Sequence, residues 1–133
     1  MKLTTKSEYS ILALIHLARH EKEGFIRVED ICVKYDIPKK YLEQLLTVLK
    51  NNHFIRTKRG KAGGICLARP ASRVKIADVI RLMDGALAPV ESVSTYFYSH
   101  SPLEKERKVL SVFKEIRDYI STKMERLRLS ELV

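Results

Sequence analysis

The sequence predicts a mainly α-helical protein with a small β wing, built as a winged helix-turn-helix domain with a long C-terminal dimerisation helix. Three patterns predict this fold: two short amphipathic segments joined by a tight turn, a glycine-rich hairpin directly after them, and a long helix with a narrow apolar stripe. They divide the 133 residues into the winged domain at 1–85, a loop at 86–101, and the long helix with its tail at 102–133.

The first predicted helix begins near Thr5 and runs to about His20. Thr5 and Glu8 have the spacing of a capping box, in which each side chain accepts a hydrogen bond from the other residue's backbone amide. Apolar residues leave this helix little polar face, so we expect it to be largely buried.

Residues 28–35 and 38–51 predict the helix-turn-helix, with a tight connection at Asp36. Pro38 suits the first turn of the second helix, and Asn51 and Asn52 suit its end, because Asn tolerates the left-handed conformation. The residues of the second helix that we expect in the core are Tyr41, Leu42, Leu45, Leu46, Val48 and Leu49. Those left together on one exposed face are Lys40, Glu43, Gln44 and Thr47.

Residues 54–69 predict a two-stranded hairpin with a basic, glycine-rich tip at 59–64, where the sequence is RGKAGG. Glycine-rich loops also bind nucleotide phosphates. However, no GK[ST] follows this tip and no strand-loop-helix order surrounds it. We therefore interpret the hairpin as the wing of a winged-helix domain.

A shorter amphipathic helix is predicted at 76–84, and a long one opens at Pro102. The apolar residues of the long helix recur at threes, fours and sevens, and we predict that they form a homodimer interface: Leu103, Leu110, Phe113, Ile116, Ile120 and Met124. The alternative is that the helix folds back on its own domain, although so small a domain offers limited surface to cover it.

The net charge of +9 is confined to the first part of the chain. Residues 1–75 hold 16 Lys and Arg against 7 Asp and Glu, whereas residues 76–133 hold 9 of each. Such segregation is typical of a surface that binds polyanions, although charge alone would fit a solvated basic face on an unrelated enzyme as well.

Composition also bears on the compartment and on the class of protein. No stretch approaches the length of a membrane span and no cleavable signal pattern begins the chain, so we expect a cytoplasmic protein without a membrane partner.

Cys32 and Cys66 form no CxxC pair, and we expect both to remain thiols and to serve as small buried hydrophobes. Four scattered histidines and no paired carboxylates suggest no enzymatic reaction.

Several segments together resemble the Rrf-type family of winged helix-turn-helix transcription regulators, which includes the IscR, NsrR and CymR regulators. The matching segments are MKLTTK at 1–6, KYLEQL at 40–45, RGKAGG at 59–64, LARP at 67–70, ADVIR at 77–81, APVE at 88–91 and LSELV at 129–133. The resemblance implies dimeric repressors or activators, with the long helix as the dimer contact and the preceding loop as the sensor.

The sensor loop departs from the family pattern. Many members carry three cysteines there that bind an iron-sulfur cluster, but residues 86–104 contain none, and Ser92 stands near the expected first position. Because clusters are held chiefly by Cys thiolates, we expect no iron-sulfur cluster, metal or other cofactor. Tyr96, Tyr98 and His100 are available for an unknown small-molecule or protein effector; the alternative for each tyrosine is packing in the dimer interface.

These observations predict a sequence-specific regulator that binds double-stranded DNA as a homodimer on a near-palindromic operator. The recognition helix at 38–51 would lie in the major groove, with base readout by Lys40, Glu43, Gln44 and Thr47. The wing would reach the minor groove through Arg59, Gly60, Lys61, Gly63 and Gly64, whose glycines would permit close approach. Phosphate contacts would come from Lys2, Lys6, Lys39, Arg56 and Lys58.

Two alternatives stay open from the residues alone. Glu43 would either read or reject a base, or be a solvated charge paired with Lys39, Lys40 or Lys50. The basic domain would otherwise bind RNA or an acidic protein. Sequence-specific RNA readers usually bring aromatic stacking surfaces, and the basic segment offers only Phe54, so DNA is favoured.

Overall fold

The protein is described by a computed structural model that covers residues 2–133; Met1, the first residue of the MKLTTK segment, lies outside the described residues. Over this range the chain forms five α-helices and one two-stranded antiparallel sheet. In chain order these are α1 (Thr5–Arg19), α2 (Val28–Tyr35), α3 (Lys39–Asn51), β1 (Ile55–Lys58), β2 (Gly64–Leu67), α4 (Ile76–Asp84) and α5 (Arg107–Arg126). The predicted mainly α fold with a β wing is confirmed.

Helix α1 runs through the centre of the core and packs against α3, α4 and β2. Ala13 and Leu14 are fully buried on it, as expected for a helix with so little polar face. The predicted capping box is wrong by one residue. The cap is Thr4, whose hydroxyl accepts a hydrogen bond from the Lys6 amide, and Thr5 is the first helical residue.

The helix-turn-helix follows the predicted bounds, with local corrections at both ends of α3. Asp36 adopts the left-handed conformation, with φ of 54°, and makes the tight turn. Pro38 takes the capping position just before α3 rather than its first turn. After α3 the left-handed residue is His53, with φ of 64°, and not Asn52, whose φ is −105°.

The hairpin pairs Ile55 with Leu67 and Lys58 with Gly64. A β-bridge between Ile26 and Ile65 extends the hairpin, and its two backbone hydrogen bonds have donor–acceptor distances of 2.7 and 2.8 Å. The sequence did not suggest this pairing. This bridge explains Gly64: a Cβ there would lie 2.3 Å from the Ile26 carbonyl oxygen. The wing is thereby fixed to the segment that leads into α2.

The C-terminal part differs from the prediction in where the long helix begins. Pro102–Lys105 form a separate 3₁₀ turn, and α5 begins only at Arg107, so Leu103 lies outside the long helix. The chain then returns to the winged domain, where Leu129 is fully buried and its amide donates to the Val74 carbonyl oxygen at 2.9 Å.

The predicted dimer stripe on α5 divides between two surfaces. Ile120 and Met124 pack against the core of their own domain, as the fold-back alternative required. Leu110 and Phe113 are half-buried, whereas Ile116 is 40% exposed. Ile116 instead belongs to a row of exposed apolar residues, spaced by three, four and three positions: Val109, Val112, Ile116 and Tyr119.

Within residues 2–133 no helix combines the length and the hydropathy that crossing a membrane requires.

Candidate nucleic-acid interface

Helix α3 presents the four predicted base-reading side chains to solvent. Its inner face is anchored by buried leucines, and Lys40, Glu43, Gln44 and Thr47 are all exposed. The Thr47 hydroxyl donates to the Glu43 carbonyl oxygen at 2.9 Å, so its proton is already used within the helix. Thr47 is therefore left with hydroxyl lone pairs and a methyl group, which suits contact with a thymine methyl better than donation to a base.

The exposed face of α3 and the tip of the wing border one open cleft of about 530 Å³. Residues of α2, α3 and the wing line it: Arg27, Val28, Glu29, Lys39, Glu43, Gly60, Lys61, Gly63 and Gly64. We call this the recognition cleft. It brings Glu43, one of the four predicted base-reading residues, together with the wing tip about 20 positions further along the chain. Lys40, Gln44, Thr47 and Arg59 do not line it.

Lys39 is held at the edge of the recognition cleft by a residue that the sequence did not single out. Its Nζ lies 2.9 Å from Oε1 of Glu29, in the first turn of α2. This hydrogen bond lowers the pKa of Glu29 and raises that of Lys39. Lys39, a predicted phosphate contact, is therefore paired in the unbound protein.

Glu43 has no such partner. Across residues 2–133 no cationic group lies within 4.0 Å of its carboxylate, so the predicted alternative of a pair with Lys39, Lys40 or Lys50 is absent from the structure. Glu43 makes no direct ion pair, although its charge still acts on the nearby Lys39 ammonium; a carboxylate here would attract a cytosine amino group or repel other bases.

The start of α1 is tied to the first turn of α3. The Thr5 and Tyr41 hydroxyls lie 2.9 Å apart, and Thr4 donates its amide to the Asp84 carboxylate at 2.9 Å. Lys2 and Lys6 are exposed at this end of α1. Because Thr5 contacts Tyr41, this end of α1 lies near the first turn of α3, while the charge of Lys6 acts on Asp84 at the end of α4.

Arg56 and Lys58 belong to a different side of the wing. Arg56 pairs with Cys66 across the hairpin, and both line a second cleft of about 330 Å³ that shares no residue with the recognition cleft. The Lys58 ammonium lies over the Phe25 ring, 5.7 Å from its centroid. Two of the five predicted phosphate contacts, Arg56 and Lys58, thus lie away from the recognition cleft.

The wing tip exposes Arg59 and Lys61 beside Gly60, whose φ of 102° favours glycine. Gly63 serves the hairpin itself, because a Cβ there would lie 2.1 Å from the Lys58 carbonyl oxygen. Together with Gly64 against Ile26, this gives both residues an intramolecular reason to be glycine, beside the predicted approach to a minor groove.

Comparison with known proteins identifies the family. Residues 3–133 match Rrf2, described as "Iron-dependent Transcriptional regulator". The chain belongs to the Rrf2 family. The HTH-type transcriptional regulator CymR of Bacillus subtilis is 30% identical over 129 residues, which cover 96% of this chain and 89% of CymR. IscR of Xenorhabdus nematophila is 38% identical over 84 residues, or 63% of this chain.

Solved Rrf2-family structures share the fold. The structure of CymR, the global cysteine regulator of B. subtilis, matches with a TM-score of 0.81 at 27% identity, over 99% of this chain and 95% of CymR. T. potens IscR has a TM-score of 0.77 at 26% identity, with 99% and 85% coverage. Some relatives are longer: the match spans 51% of Xenorhabdus IscR and 58% of a Mycobacterium tuberculosis relative.

The description of the Rrf2 family as iron-dependent raises the question of iron, and the residues of the loop do not fit an iron-sulfur cluster. Residues 86–104 contain no cysteine; Tyr98 donates its hydroxyl to Glu104 at 2.6 Å, and His100 binds the same carboxylate. The two thiols belong to α2 and β2. In the part of the chain that the structure describes, no three His, Cys, Asp or Glu side chains are grouped to hold a metal.

The two thiols are more exposed than predicted, and the tyrosines of the loop are exposed as well. Cys32 and Cys66 are half-buried rather than buried, although burial still raises the pKa of the Cys32 thiol. Tyr96 and Tyr98 are 70% and 61% exposed, and the Tyr96 ring lies over the Arg81 guanidinium. Effector binding and dimer packing both remain predictions for these two tyrosines.

Proposed function

We propose that this chain is a sequence-specific DNA-binding transcription regulator that acts as a homodimer on a near-palindromic operator. Helix α3 would enter the major groove and the wing tip at 59–64 would reach the adjacent minor groove. The relatives CymR and IscR are HTH-type transcriptional regulators, which supports this proposal.

The observation that carries the proposal is the recognition cleft. A single surface joins the exposed face of α3 to the glycine-rich wing tip, and both Lys61 and the unpaired Glu43 line it. Hydrogen-bonding side chains on a helix read base edges, while cations beside them bind phosphates.

The proposed dimer contact is the row Val109, Val112, Ile116 and Tyr119 on α5. These apolar side chains repeat on one helical face and lie beside, rather than on, the face that packs against the domain core. A second copy fits this row, because a two-fold dimer would place two recognition helices for two half-sites. Half-sites should then lie about one turn of DNA, or a small multiple, apart.

We also propose that the regulator works without an iron-sulfur cluster. The loop at 86–101 offers hydroxyl, imidazole and carboxylate groups rather than thiolates, and such groups bind clusters poorly. Any signal that reaches this loop would therefore come from another small molecule or from a protein.

Selection of duplexes from a random pool tests the function. The full-length protein should enrich a near-palindromic sequence and bind it at least about a thousandfold more tightly than scrambled duplex. A structured RNA of similar length serves as the control. Preference for that RNA, or enrichment of no sequence at all, would contradict the proposal.

A further inference from the structure

Glu29 is an acidic side chain at a surface that otherwise suits a polyanion. It lies in the first turn of α2, outside the recognition helix, and lines the recognition cleft. Its carboxylate binds Lys39 at 2.9 Å and lies 3.7 Å from Nε of Arg27. Thus one carboxylate engages two of the cations that face the cleft.

The pair is open to solvent, so it can exchange partners. The side chains of Lys39 and Glu29 are 53% and 45% exposed. Exposed ion pairs contribute little to stability, and a phosphate oxygen competes with a carboxylate for the same ammonium group. The contact between Glu29 and Lys39 therefore contributes little to the stability of the fold, but it determines how many cations are available to bind DNA phosphates.

The alternative role for Glu29 is to stabilise the N-terminus of helix α2. The N-cap of α2 is Arg27, whose side chain makes no capping hydrogen bond, and an acidic residue in the first turn interacts favourably with the helix dipole. A test must therefore separate the stability of α2 from the charge available to DNA.

We propose that Glu29 is a positioning residue that holds Lys39 away from the DNA backbone and so lowers sequence-independent affinity. This inference rests on the proposed DNA-binding function. In the wild-type protein Lys39 would be neutralised by Glu29, and base contacts from α3 would contribute a larger share of binding. Without Glu29, Lys39 would bind a phosphate and release one more counterion.

The test is a double-mutant cycle in the full-length protein with Glu29→Gln, Lys39→Ala and the two combined. Dissociation constants are measured for a selected duplex and a scrambled one over a range of salt concentrations. Glu29→Gln should tighten scrambled-duplex binding about threefold and steepen the salt dependence by about one unit. In the Lys39→Ala background the same substitution should leave the salt slope unchanged.

Glu115→Gln is the matched control, because it removes one negative charge from an exposed position on α5, outside the cleft. A Glu29→Gln gain no larger than the control, or a gain of equal size and slope with and without Lys39, would overturn the proposal. If the wild-type protein has no affinity for duplex DNA, the proposed function itself is refuted. The wild-type measurement in the same cycle distinguishes this outcome from failure of the Glu29 proposal.

Discussion

The Thr5 hydroxyl lies 2.9 Å from the Tyr41 hydroxyl and joins the first turn of α1 to the first turn of α3. Tyr41 also packs edge-on against Tyr9 of α1, with ring centroids 5.7 Å apart. Helix α3 is thus positioned by the central helix of the core as well as by the turn at Asp36.

Tyr41→Phe removes this hydroxyl contact while keeping the ring against Tyr9. We expect a loss of about 0.5–1.5 kcal/mol in the free energy of unfolding, measured by urea titration. Thr5→Val should cost a similar amount, and the double variant should cost less than the two losses added together, because both remove the same hydrogen bond. Fully additive losses would show that the two hydroxyls do not interact in solution.

The exposed apolar row on α5 should form the dimer interface. Val112→Asp with Ile116→Asp should convert a dimer into a monomer at micromolar concentration in sedimentation experiments, because two charges would be buried without partners. The melting temperature of the monomer should change little, since both side chains are exposed within their own chain.

Ser111→Asp is the control for this change, because it adds a charge to the same helix away from the row. A wild-type monomer, or a double variant that stays dimeric, would contradict the assigned face. Ile120 is unsuitable for this test because it packs against its own core.

The stability of the protein should fall below neutral pH because of His16. Burial is the main cause that lowers the pKa of His16 from 6.5, and the nearby positive charges of His20 and Lys34 add to it. The unfolded chain therefore binds a proton more readily than the folded one, so stability is retained above pH 6.5 and lost as pH falls toward the lowered pKa.

His16→Leu should reduce this dependence of unfolding free energy on pH by up to about 1.4 kcal/mol per pH unit within that window. Urea titrations at several pH values between neutral and mildly acidic would measure it. Equal slopes for the variant and the wild type would contradict the assignment.

Anaerobic purification with iron and sulfide supplied should yield a colourless protein, because the loop at 86–104 lacks thiolates. Visible absorption together with stoichiometric iron would show that other residues hold a cluster. Metal analysis and an absorption spectrum of the same sample are sufficient to decide.

Hydrophobic periodicity predicted the helices well, because burial of one face imposes a period near 3.6 residues. It placed α3 within one residue and identified the buried Leu42, Leu45 and Leu49. Caps were less predictable: Thr4 and Thr5 are identical residues, and only the backbone geometry decides which one precedes the helix.

The sequence pattern did not predict which helices and strands contact one another. Periodicity marks apolar positions on α5 but does not say which surface covers each, so Ile120 and Ile116 were assigned to one stripe although they face different surroundings. Glu29 and Lys39 lie on separate helices, and their pairing depends on the angle that the turn at Asp36 sets. The acidic first turn of α2 was the only available signal.

The central claim is that α3 reads bases while basic side chains elsewhere in the winged domain, among them Lys58 beside Phe25, bind phosphates. Its most direct measurement compares Gln44→Ala with Lys58→Ala on a selected duplex and a scrambled one, at two salt concentrations. Gln44→Ala should cost roughly 1–3 kcal/mol on the selected duplex alone, whereas Lys58→Ala should weaken both and lower the salt slope by about one unit. Equal losses on both duplexes for the two variants would contradict the assignment of α3 to the major groove.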